Sequence, residues 1–153
     1  MRARMKNPAL VLPDGMTGIG SILRAVHFGG IAEGLREIVG LRVSQINGCS
    51  ACVHTHSQNL VKAGESAERI AGVGAWREAP FFTGAERAAL ALTEMVTRLA
   101  DRSGEAVPDE LWDEVADHFD ERQISALILL IGVTNLVNRL NAAVREPASS
   151  AWG

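Results

Sequence analysis

The sequence contains two cysteine residues, Cys49 and Cys52, which stand three positions apart in the stretch NGCSACVHTH. His54 and His56 follow directly, so two thiols and two imidazoles share one short segment. Thiolates and imidazoles together can bind zinc, a pair of thiols can cycle through a disulfide, and buried cysteines can be chemically inert. The spacing of these side chains is the first test of the three alternatives.

The segment is predicted to begin an α-helix, because an Asn-Gly pair directly before Cys49 ends the preceding helix and Gly64 closes the new one. An α-helix turns by about 100° per residue. This rotation places Cys49, Cys52 and His56 on one face of the helix and His54 on the opposite side.

This geometry does not favour a zinc site. A closed zinc site needs four ligands that converge on one point, and the helix face supplies three at most. His27 and His118 have no metal-ligand context in the sequence, and we interpret them, with His54, as surface or partly satisfied histidines rather than catalytic ones. We expect neither a metal nor a cofactor.

A redox pair requires less than a zinc site does. The N-terminus of a helix stabilises a thiolate, and a second thiol one turn away can close a disulfide. His56, on the same face, can accept a proton at neutral pH. We therefore interpret Cys49 and Cys52 as a redox couple, with a pair of inert buried thiols as the alternative.

The apolar pattern of the rest of the chain predicts an all-α fold with six or seven helices in a single domain. Leu35, Ile38, Val39, Val43 and Ile46 follow the rhythm of an amphipathic helix just before the cysteines. We expect an irregular N-terminal arm over residues 1–15, the helical domain over residues 16–143 and a frayed tail over residues 144–153.

Two capping signatures predict the start of later helices. Thr83 with Glu86, and Asp120 with Gln123, have the spacing of a capping box. The helix that follows Asp120 is apolar on nearly every side over residues 124–133. Such a helix is expected to be buried in the core or at a subunit interface, so we predict a homo-oligomer.

Composition and charge exclude several classes of partner. The net charge is −3, and the sequence has no run of basic residues, so neither nucleic acid nor a membrane surface is an expected partner. The apolar run near the N-terminus is too short for a signal peptide, and we expect a cytoplasmic protein. In that reducing compartment a C-x-x-C pair is more often catalytic or metal-binding than structural.

The segment REIVGLRVSQINGCSACVHTHSQNLVKAGES resembles the motif region of the AhpD-like alkylhydroperoxidases, which belong to the carboxymuconolactone decarboxylase superfamily. The family pattern of a glutamate, a C-x-x-C pair, a histidine and a glycine matches Glu37, Cys49, Cys52, His56 and Gly64. The segment AWREAPFFTGAERAALALTE and the final helix around NLVNRLNAAV are also similar to the family. The resemblance covers roughly residues 30–142.

The resemblance implies an AhpD-like bundle that assembles into trimers or hexamers and uses its thiols to reduce (alkyl) hydroperoxides or to relay electrons from a dithiol donor. Glu37 and His56 would form a proton relay to the thiols. Cys52 would attack the peroxide and Cys49 would resolve the intermediate, although the helix dipole by itself favours Cys49 as the better thiolate.

Position 51 departs from the family pattern, and Glu37 matches the family but not the apolar pattern of its own helix. Peroxidases of this family often carry a histidine between the cysteines, whereas this chain has Ala51, so part of the relay is missing. Glu37 lies on the far side of its helix from the apolar stripe, and by pattern alone it is a solvated carboxylate.

Two other functions stay open at this point. One is a non-catalytic redox-sensing or assembly protein with the same fold. The other is a decarboxylase-type enzyme, although that branch of the superfamily lacks the C-x-x-C pair.

Overall fold

The fold is known from a computed structural model, and the structure describes residues 2–101 and 104–148. Within these residues all regular structure is helical: α1 (Pro8–Val11), α2 (Gly15–His27), α3 (Glu33–Asn47), α4 (Ser50–Lys62), α5 (Ala67–Gly72), α6 (Gly84–Thr97), α7 (Asp109–His118) and α8 (Glu121–Val144), with a 3₁₀ turn at Val73–Ala75. The predicted all-α fold is confirmed. The described part of the chain has eight α-helices rather than six or seven, because α1 forms inside the arm.

Local signals set the ends of the helices that matter for the thiols. Thr83 caps α6 and Asp120 caps α8, each in a complete capping box, as predicted. Gly48 ends α3 in the left-handed conformation with φ 67°, which glycine adopts without a steric penalty. The chain therefore turns sharply between α3 and α4, and Cys49 follows directly after this turn.

Helices α3 and α8 form the centre of the molecule. α3 packs against α4, α6 and α8, and α8 also packs against α2, α6 and α7. The main core lies between them and includes Val39, Val43, Leu92, Leu127 and Ile131, all of which are fully buried. Because α3 is covered on several sides, the face that carries Glu37 meets α4 rather than solvent.

Helix α8 is exposed on one side of the chain. Of the two alternatives for its apolar segment, full burial in the core is therefore wrong, and burial at a subunit interface stays a prediction. Ile128, Leu129 and Leu136 are 39%, 44% and 43% exposed. Among the described residues, α8 is also the helix whose length and composition would suffice to cross a membrane. Its contacts with four other helices are those of a core helix in a globular protein.

The N-terminal arm, which the sequence predicts to be irregular, packs on the end of α8. Asn7 caps α1 by accepting a hydrogen bond from the Ala9 backbone N–H, and both residues are buried. The Arg4 backbone N–H donates to the Val144 carbonyl at 2.8 Å. The predicted tail begins where α8 ends, and its last five residues, 149–153, lie outside the described part of the chain.

Candidate functional site

The two cysteines lie at the start of α4 and form a disulfide, with their Cα atoms 5.4 Å apart. Cys49 is the N-cap residue of α4, and its sulfur accepts a hydrogen bond from the Cys52 backbone N–H at 3.4 Å. Both residues are buried. The predicted helix start is confirmed. The pairing shows that the two cysteines are close enough to form an intramolecular disulfide.

Cys52 lines a cavity of about 250 Å³ between α2, α4 and α8. His56 lines it one helical turn further along, so these two predicted site residues share one space. The remaining lining is mostly apolar: Met16, Ile19, Leu23, Ala51, Thr55, Val133, Thr134, Val137, Asn138 and Asn141. Cys49 is not among the described residues that line the cavity. A molecule that enters the cavity would therefore reach the Cys52 sulfur first.

Glu37 and His56 are brought together by the packing of α3 against α4. Nδ1 of His56 lies 2.8 Å from Oε2 of Glu37, and the Asn59 side-chain amide donates to the same oxygen at 3.2 Å. The Glu37 side chain is 19% exposed and that of His56 is 20% exposed. The interpretation of Glu37 as a solvated carboxylate is therefore wrong, because α4 covers the face of α3 that the sequence pattern leaves polar.

The surroundings of Glu37 favour its ionised form. Burial raises the pKa of this carboxyl, but the hydrogen bond and charge of His56 and the hydrogen bond from Asn59 outweigh burial, so the pKa lies below its ordinary value of 4.5. Glu37 is thus a carboxylate at neutral pH. An acceptor at Nδ1 keeps a proton on that nitrogen and leaves Nε2 to exchange protons with a reacting group.

Gly40 makes the contact between α3 and His56 possible. A Cβ atom at Gly40 would lie 2.7 Å from Nδ1 and 2.8 Å from Nε2 of His56, which is closer than real carbon contacts allow. The ring therefore lies directly on the α3 backbone, one turn after Glu37. The sequence carries a signal for this contact. A glycine in the middle of an amphipathic helix destabilises that helix, so its presence indicates that another group packs closely against the backbone at that point.

Two buried asparagines complete the surroundings of Cys52. The Asn141 side-chain amide donates to the Cys52 sulfur at 3.3 Å, and the Asn7 amide donates to the Asn141 oxygen at 2.8 Å. Ala51, between the cysteines, is buried and lines the cavity without a polar group. Neither asparagine is predicted from the sequence, because no local pattern joins the arm to the end of α8.

The other histidines lie away from this cavity. His54 is exposed on α4, while His27 and His118 are exposed and contact the rings of Phe28 and Phe119. Among the described residues, no cluster of three or more histidine, cysteine or acidic side chains could hold a metal ion.

The sequence of the chain is similar to one known protein family and to two bacterial proteins. A model of the carboxymuconolactone decarboxylase family matches residues 13–95, which include Glu37, both cysteines and His56. The uncharacterised protein YdfG of Bacillus subtilis is 36% identical over 140 residues, which cover 92% of this chain and 93% of YdfG. The uncharacterised protein YnjA of Escherichia coli is 33% identical over 114 residues, which cover 74% of this chain and 60% of YnjA.

The fold is shared with solved structures. A protein of unknown function from Agrobacterium tumefaciens, suggested to be the antioxidant defence protein AhpD, superposes with a TM-score of 0.88 at 28% sequence identity. The match covers 98% of this chain and all of the other. The AhpD-like architecture is therefore common to both proteins.

Proposed function

The chain belongs to the carboxymuconolactone decarboxylase family, and from this premise we propose that it is a thiol-dependent peroxidase of the AhpD-like type. Its substrates are organic hydroperoxides, and a dithiol donor returns the oxidised pair to thiols. The observation that carries the proposal is the position of the Cys52 sulfur on a largely apolar cavity that also contains the His56 ring. An AhpD-like protein of similar structure has itself been suggested to serve in antioxidant defence.

The reaction begins at Cys52. Its thiolate attacks the terminal oxygen of the hydroperoxide, so a sulfur–oxygen bond forms and the oxygen–oxygen bond breaks. The alkoxide takes a proton and leaves as an alcohol, and Cys52 becomes a sulfenic acid. The Cys49 sulfur then attacks Cys52, water leaves, and the disulfide of the structure results. The dithiol donor then supplies two electrons and two protons, which restore both thiols, and is itself left as a disulfide.

The geometry supports Cys52 as the attacking residue and Cys49 as the resolving residue. Cys52 faces the cavity, whereas Cys49 caps α4 behind it. His56 would accept the thiol proton and return it to the leaving alkoxide, and Glu37 would hold the imidazole in the orientation that this transfer needs. Gly40 gives the ring its place against α3.

The proposal also covers the cellular location and the assembly of the protein. We place it in the cytoplasm, where a dithiol donor is maintained, and as a homo-oligomer of the trimer or hexamer type through the exposed apolar residues of α8. No nucleic acid or membrane takes part in this function.

Thiol counting against peroxide tests the proposal. One equivalent of cumene hydroperoxide should remove two thiols per chain and yield one alcohol, and added dithiothreitol should allow many turnovers. Cys52→Ser should abolish both results, whereas Cys49→Ser should stop at a sulfenic acid on Cys52.

Other results would redirect the assignment. Stoichiometric oxidation without turnover would favour a redox sensor of the same fold. Thiols that resist peroxide in the folded protein would exclude the peroxidase, and a sulfenic acid on Cys49 in Cys52→Ser would reverse the two roles.

A further inference from the structure

The Cys52 sulfur receives a hydrogen bond from a side chain that no sequence motif includes. Asn141 lies on α8, is 2% exposed, and places its amide nitrogen 3.3 Å from this sulfur. We propose that Asn141 is a further catalytic residue, which donates to the Cys52 thiolate, and that Asn7 is the positioning residue that fixes the direction of this amide. The proposal rests on the proposed function for its catalytic meaning.

The direction of both amides follows from one backbone group. The Ala9 N–H can only donate, so the Asn7 side chain accepts with its oxygen, at 3.0 Å. The Asn7 nitrogen is then the atom that faces Asn141 and donates to its oxygen at 2.8 Å. Asn141 in turn must present its nitrogen to Cys52. The donor at the sulfur is thus determined by the N-cap of α1.

The sulfur has a physical need for this donor. Cys52 is 6% exposed and packs with Ala51 and Val137, and burial among apolar groups disfavours a thiolate. Ala51 supplies no polar group. A hydrogen bond to the charged sulfur, and not to the thiol, lowers the free energy of the form that attacks peroxide.

The titratable groups around Cys52 are few among the described residues. His56 on α4 shares the cavity and is paired with Glu37 of α3, and Cys49 lies at the start of α4. The cavity lining from α2 and α8 carries no charge. On the arm, Arg4 is exposed and its guanidinium contacts the Ala143 carbonyl. A change at Asn7 or Asn141 can therefore be measured against a small and known set of other groups.

The test measures the acidity of Cys52 directly, without relying on peroxide turnover. Cys49→Ser is the background, because serine is a good N-cap and leaves Cys52 as the single cysteine of the chain. The rate of alkylation by iodoacetamide as a function of pH then gives the Cys52 pKa.

Asn7→Asp is the decisive variant. Aspartate still caps α1, but it has no hydrogen to donate to the Asn141 oxygen. The Asn141 amide should turn to donate to Asp at position 7 and present its oxygen to the sulfur. We expect the thiolate fraction at neutral pH to fall at least about tenfold, because one charge-assisted hydrogen bond is lost and an oxygen then faces the sulfur. Asn141→Leu, which removes the donor alone, should produce a fall of about tenfold.

Met5→Asp is the matched control, since it adds the same charge to an exposed site on the arm. It should leave the Cys52 pKa close to that of the background. An unchanged pKa in both Asn7→Asp and Asn141→Leu, with native circular dichroism, would overturn the proposal, as would an equal shift in Met5→Asp. A wild-type protein that reduces no hydroperoxide would refute the proposed function while leaving this pKa comparison fully decisive.

Discussion

Glu37 and His56 show that the environment of a side chain depends on the helix that packs against it as well as on its residue type. The two residues lie 19 positions apart on different helices, and they become hydrogen-bonded partners because α4 lies across α3 with a 2.8 Å contact. His54, two positions before His56 in the sequence, is exposed on the same helix. This difference provides a matched comparison between a histidine in the site and one outside it.

We expect Glu37→Gln and His56→Phe each to slow oxidation of the thiols by cumene hydroperoxide, since general acid–base catalysis contributes about 10²- to 10⁴-fold. The double variant should lose little more than the worse single variant, because coupled groups are not additive. Stopped-flow measurement across pH checks this, with His54→Phe as the control. Unchanged rates in both single variants would remove the pair from the mechanism.

Gly40 leads to a second prediction at the residue scale. Gly40→Ala should displace the His56 ring and slow thiol oxidation as strongly as His56→Phe does, with an overpacking cost of about 1–3 kcal/mol in the free energy of unfolding. Gly18→Ala on α2 is the control, because a Cβ there meets no atom within 4 Å. It should leave the rate unchanged and stabilise the helix by up to about 1 kcal/mol. A Gly40→Ala variant with the native rate of thiol oxidation would show that the His56 ring has room elsewhere.

The pKa of Glu37 makes the stability of the protein depend on pH. Its folded-state pKa lies below the ordinary value of 4.5, so the carboxylate contributes stability that is fully present above that value and is lost as the pH falls through the lowered pKa. The difference in free energy of unfolding between wild type and Glu37→Gln should therefore shrink as the pH falls from about 6 to about 3. Urea unfolding at several pH values checks this. A difference that stays constant would mean that the carboxylate gains nothing from His56 and Asn59.

At the scale of the helices, the parts that the sequence predicts are those that depend on neighbours a few positions away. The capping boxes that begin α6 and α8, and the helix that starts at the cysteines, are of this kind. The environment of Glu37 is different, because it depends on which helix covers α3. The Asn7–Asn141 hydrogen bond joins residues 134 positions apart, so no local pattern could reveal it.

The arm offers a prediction at the same scale, which also tests the expected domain boundary at residue 16. Asn7 and Ala9 are buried and the Arg4 backbone is bonded to Val144, so deletion of residues 2–7 should destabilise the protein by about 1–3 kcal/mol. Thermal unfolding of the truncated and full chains provides the measurement. Identical stability would support an arm that is separate from the domain.

For the molecule as a whole, the exposed side of α8 is the feature that a single chain leaves unexplained. Leu129 and Leu136 lie seven positions apart on one side of this helix, and both are more than two-fifths exposed. Two exposed leucines on one side of the longest helix in the described part of the chain are typical of a surface that a second copy of the chain covers.

We therefore expect an oligomer at micromolar concentration, and we expect Leu129→Glu to shift it towards monomer in multi-angle light scattering. Leu99→Glu is the control, since Leu99 is 54% exposed and lies just after α6. A wild-type monomer would contradict the prediction, and dissociation in both variants would show only a general effect of added charge.

The backbone hydrogen bond between Arg4 and Val144 suggests that the chain tolerates circular permutation. The N-terminal arm and the end of α8 lie side by side, with the Arg4 N–H 2.8 Å from the Val144 carbonyl. A flexible linker from residue 148 to residue 2 would therefore join two segments that already meet at Arg4 and Val144, and new ends could be opened in the segment between α6 and α7. Such a circular permutant would hold the arm covalently near the end of α8, where Asn7 donates to Asn141.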